Sequence, residues 1–120
     1  MVLCIVPDAT EEVVRNAKPN EKVIDYRTFN SVEIHPFIAT TPWDGVKVVV
    51  GRGIVDGYLK QVVTLTNQVT VIYKKGTEVT YEIIKRLQEL LPNNAPVLRK
   101  MFLQKQDIVP YLMSVGVIIE

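Results

Sequence analysis

Two short stretches of this chain carry residue types that can hold an anion. Val46-Lys47-Val48-Val49-Val50 leads into Gly51-Arg52-Gly53, and a helix-like run from Ile54 to Leu65 follows. A β-branched run that turns through glycines into a helix aims backbone N–H groups outward, and the arginine adds charge there. The second stretch is Lys74-Lys75-Gly76-Thr77, with two ammonium groups and a hydroxyl ahead of an amphipathic run. Gly51, Arg52, Gly53, Lys74, Lys75 and Thr77 are therefore the candidate ligand-binding set, and the chemistry they suit is recognition of phosphate, carboxylate or nucleotide.

Acid–base chemistry has two weak candidates, Asp8 and His35. His35 is the sole histidine, and a general base needs a pocket and a hydrogen-bonded partner. Glu33, two residues away, shares its face if the segment is a strand. Asp8 follows the first apolar run, at the end that faces a ligand edge, but an N-cap role accounts for it equally well. Asp25 and Arg27 read as a solvated pair on one strand face. Ser31, Thr10 and Thr77 have no nearby base to make them nucleophiles.

The glycines are no cofactor fingerprint. Gly51, Gly53 and Gly57 give G-x-G-x-x-x-G, one residue longer than the dinucleotide pattern, and no acidic residue stands about twenty positions on. The G-x-x-x-x-G-K-[ST] phosphate loop is absent. One cysteine and one histidine leave zinc to carboxylates, so neither metal nor cofactor is expected.

The elements that must position these residues follow from periodicity. Val2 to Val6 reads as a buried strand, with Asp8 capping the helix that follows and Val13, Val14 and Ala17 on its apolar side. Lys22 to Thr28 alternates as a half-exposed strand. Val32 to Ala39 reads as an edge strand because it contains Pro36, and Thr41 to Gly45 as a turn. After Gln68 to Tyr73, the best helix carries Val79, Ile83, Ile84, Leu87, Leu90 and Leu91 on one face and the Glu82–Arg86 pair opposite, with Thr77 as N-cap. Val97 to Leu103 reads as a strand, Asp107 to Met113 as a capped short helix, and Val117 to Ile119 as a last strand.

This alternation predicts an α/β fold: one domain over residues 1–120, a three-layer Rossmann-like sheet, mostly parallel with one antiparallel edge strand. Ligands in such sheets bind at the carboxyl edge. A net charge of +1 argues against bulk nucleic-acid binding, and no apolar stretch approaches a membrane span. The lone Cys4 and the missing signal segment favour the cytoplasm. Three functions fit. The first is a small binding domain for a phosphate- or nucleotide-bearing ligand. The second is a structural protein, a homo-oligomer whose edge strand and Trp43 loop make contacts. The third is a small phosphodiester-handling enzyme using Asp8 or His35.

Overall fold

Short runs rich in valine and isoleucine build the sheet, as β-branched side chains favour extended backbone. The computed structural model describes residues 1–7, 10–25, 38, 40–51 and 58–120. Its strands are β1 (Val2–Val6), β2 (Glu21–Asp25), β3 (Gly45–Val50), β4 (Val69–Tyr73) and β5 (Ile118–Ile119). The described helices are α1 (Glu11–Arg15), α2 (Tyr58–Val62), α3 (Tyr81–Leu90), α4 (Ala95–Leu103) and α5 (Val109–Ser114), with a 3₁₀ turn over Pro92–Asn94. No described helix is long and apolar enough to cross a membrane.

The strands form one sheet in the order β2-β1-β3-β4-β5, and all four pairings are parallel. Register partners Val2 and Gly45, Val46 and Val69, and Ile72 and Ile118 fix the alignment. Alternation then sorts the side chains. Leu3, Ile5, Val46, Val48, Val50, Val71 and Tyr73 enter the main core with Leu59 of α2, Ile84 and Leu87 of α3, Leu98 of α4 and Leu112 of α5. Cys4, Val6, Val49 and Ile72 form a smaller cluster on the opposite face.

Several expectations need correction. The sheet edges belong to β2 and β5, both parallel to their neighbours, so the described sheet has no antiparallel edge strand. The segment expected to supply it, 32–39, lies outside the described residues except for Ile38, which is helical. Val97 to Leu103 is helix rather than strand. Pro96 sits in the first turn of α4, where its fixed φ suits a helix start, and the short apolar run had concealed the helical period. Thr80, not Thr77, caps α3: its hydroxyl accepts from Ile83 N–H at 3.3 Å. Thr10 caps α1 in the same way, through Val13 N–H. Trp43 is buried and its Nε1 donates to the Ile38 carbonyl at 2.9 Å, so it plugs the turn before β3. Asp25 is buried at the end of β2 rather than solvated, and Arg27 lies outside the described residues.

Candidate functional site

Parallel pairing brings the carboxyl ends of all five strands to one edge. Gly51, immediately after β3, is buried there against Pro7, which follows β1. A Cβ on Gly51 would stand 2.8 Å from Pro7 Cγ, closer than carbon atoms pack, so only glycine fits. Gly51→Ala is therefore expected to cost about 1–3 kcal/mol by overpacking. Pro7→Ala in the same chain should return part of that loss in urea melts, since it removes the 2.8 Å contact but leaves one at 3.1 Å. Equal losses in the single and double variants would show that the contact is not the cause.

Arg86 sets the floor of the site. It sits on α3 with its side chain only 6% exposed, and Nη1 donates to the Gly51 carbonyl at 2.6 Å. Nη2 lies 3.8 Å from Glu82, whose carboxylate is exposed. The guanidinium thus ties α3 to the point where the chain leaves β3. The sequence reading missed this role. A signal was available: Ile83 at i−3 and Leu90 at i+4 place Arg86 beside the apolar stripe of the helix.

The loop after β4 closes the other side. Gly76 has φ of 81°, which glycine adopts without strain, and Thr77 N–H donates to the Lys74 carbonyl at 3.1 Å. Tyr73 OH donates to the Thr77 carbonyl at 2.7 Å. Burial, helped by the nearby Asp107 carboxylate, pushes the Tyr73 phenol above its usual pKa, so it stays a donor. Between this loop, Gly51 and the start of α3 lies a cleft of 690 Å³. Lys75, Thr77 and Thr80 line it, with Glu78 and Glu82 also on its walls and Arg86 beneath. Among the described residues its cations, Lys75 and Arg86, are matched in number by those two carboxylates.

Gly51, Lys75 and Thr77 therefore share one cleft, and Lys74 does not. Alternation past β4 sends Lys74 to the opposite face, where its Nζ is 3.8 Å from Glu120 and it lines a second cavity with Pro7 and Thr10. That second cavity, of 640 Å³, has Cys4, Val6, Val49 and Ile72 for a floor. Burial raises the Cys4 thiol pKa against the lowering effect of Lys47, with Glu21 raising it slightly, so at neutral pH it is a protonated, weak nucleophile. Arg52, Gly53, Asp8 and His35 lie outside the described residues. Among the described residues, no three potential ligands cluster as a metal site. Comparison with protein-family models, curated proteins and solved structures finds no match.

Proposed function

We propose that this chain is a small cytoplasmic binding domain for a phosphate- or nucleotide-bearing anion, held in the cleft between Gly51 and the start of α3. The observation that carries the reading is the convergence of the Gly51 turn and the Lys75 loop on the N-terminus of α3. The strand order supports it too. Direction across the sheet reverses at β1, between β2 and β3, as in doubly wound Rossmann-like folds with helices on both faces, and such folds bind ligands at that edge.

Each donor contributes little alone. A helix N-terminus stabilises a surface anion by about 0.3–1 kcal/mol, whereas micromolar affinity needs about 8 kcal/mol. Lys75 would supply charge, Thr77 and Thr80 hydroxyls, the first turn of α3 backbone N–H groups, and Ile83 an apolar wall. Arg86 holds the cleft in shape and is largely committed to Gly51 and Glu82.

Thermal denaturation with inorganic phosphate, nucleoside phosphates and cyclic nucleotides tests the reading, since a ligand of the native state raises the midpoint. Lys75→Ala is expected to weaken binding roughly tenfold, about 1.4 kcal/mol. Lys74→Ala, on the other face, should leave it unchanged. No shift with any of these anions at millimolar concentration, or an identical shift in the Lys75 variant, rejects the proposal.

A further inference from the structure

The lining of the anion cleft holds more than cations and hydroxyls. Glu78 and Glu82 border the same 690 Å³ space as Lys75, Thr77 and Thr80. An ionised carboxylate only accepts hydrogen bonds, and an ammonium only donates them. A phosphate dianion answers the donors of this set and is repelled by its carboxylates. A ligand that fills the cleft must therefore bring donors of its own to Glu78 and Glu82, because a covered acceptor without a donor costs affinity.

The side chains are arranged to read both ends of such a molecule. Lys75 and Glu78 line one cleft, yet neither forms an ion pair among the described residues, so both remain open to a ligand between them. Tyr73 OH holds the Thr77 carbonyl at 2.7 Å, which fixes the loop that carries them. Thr80 Oγ1 accepts from Ile83 N–H at 3.3 Å, so its own proton is left to donate. Glu82 is positioned by Arg86: its Oε2 lies 3.8 Å from Nη2, and Arg86 is itself anchored on the Gly51 carbonyl. Size agrees with charge. Pockets of about 300–1,000 Å³ enclose whole small organic molecules, and the buried Ile83 gives this cleft an apolar surface for a carbon skeleton.

We infer that the ligand is the phosphate monoester of a hydroxylated skeleton, a sugar phosphate or a nucleoside monophosphate, an assignment that rests on the anion-binding reading above. Its phosphate lies at Lys75, Thr77 and Thr80, and its hydroxyls donate to Glu82 and Glu78. The carboxylates then discriminate: they favour the hydroxylated ester and disfavour a phosphate group that stands alone.

Titration calorimetry tests this with methyl phosphate, ribose 5-phosphate, adenosine 5′-monophosphate and its 2′,3′-dideoxy analogue. The second pKa of a phosphate ester is about 6, so at about pH 8 methyl phosphate offers acceptors alone. Ribose 5-phosphate is expected to bind at least roughly tenfold more tightly than methyl phosphate. Glu82→Gln should weaken ribose 5-phosphate roughly tenfold and leave methyl phosphate equal or tighter, with Glu78→Gln acting in the same direction. Both carboxylates are exposed, so the melting temperature should hold. Adenosine 5′-monophosphate binding more tightly than ribose 5-phosphate assigns the Ile83 surface to a base; equal binding assigns the cleft to sugar phosphates. In either case the dideoxy analogue should bind more weakly than its parent. Equal binding of methyl phosphate and ribose 5-phosphate, or a preference that survives both Glu82→Gln and Glu78→Gln, overturns the inference and leaves the anion site standing. Binding of none of the four rejects the anion site, and the inference with it.

Discussion

Replacing Arg86 by alanine is expected to destabilise the protein by about 3 kcal/mol. The change leaves the buried Gly51 carbonyl without the donor now 2.6 Å away. An unsatisfied buried acceptor costs about 1–3 kcal/mol, and losing the packed aliphatic stem adds to it. Against a typical total of about 5–15 kcal/mol this is a large fraction. For a domain of this size it corresponds to a melting temperature lower by roughly 10 °C. Arg86→Lys should recover only part, because an ammonium lacks the planar fork. Glu82→Ala removes only the exposed partner and should change stability by less than about 0.5 kcal/mol. Urea denaturation measures all three. A loss below about 1 kcal/mol in Arg86→Ala would mean that water takes over the carbonyl, and the latch would then have no energetic role.

Trp43→Ala should cost more, about 3–5 kcal/mol, the usual range for a buried tryptophan. Its ring belongs to the main core and is 7% exposed, and its Nε1–H satisfies the Ile38 carbonyl. Trp43 also stands directly before Asp44, whose N–H donates to the Met1 carbonyl at 3.0 Å, so its packing fixes where β3 starts against β1. Trp43→Phe keeps most of the apolar contact and loses the hydrogen bond, for a cost nearer 1–2 kcal/mol. Calorimetry of the two variants distinguishes packing from hydrogen bonding; equal losses would assign the effect to the bond alone.

What could be read from the sequence is what depends on local pattern. Val2–Val6, Val46–Val50 and Val69–Tyr73 were legible as strands because buried parallel strands are continuous apolar runs. The long helix was legible from Ile83, Leu87 and Leu90 at helical spacing, and its start was misplaced because Thr77 and Thr80 are both good caps. Val97 to Leu103 was misread as a strand because a short apolar run just after a proline resembles a buried strand as much as a helix. The site was legible in outline. Gly51, Lys75 and Thr77 do meet, since the strands they follow are adjacent and parallel. Lys74 was misassigned because consecutive residues leaving a strand point to opposite faces. Arg86 was missed because its bond to Gly51 joins residues far apart in the chain, which no local periodicity encodes.

The all-parallel sheet also governs how the protein comes to be folded. None of its strands can be zipped to a neighbour by a tight hairpin. Val2 must find Gly45, and Val46 must find Val69, before any ladder forms. Loop closure therefore precedes reward at every step, which makes such topologies slow to assemble. During synthesis the apolar segment Val2–Val6 leaves the ribosome ahead of β3 and β4 and waits for them to emerge. A deeply buried strand of the finished molecule is thus the one longest exposed on the way to it, and the interval before Val50 and Tyr73 arrive is when the chain is most open to aggregation.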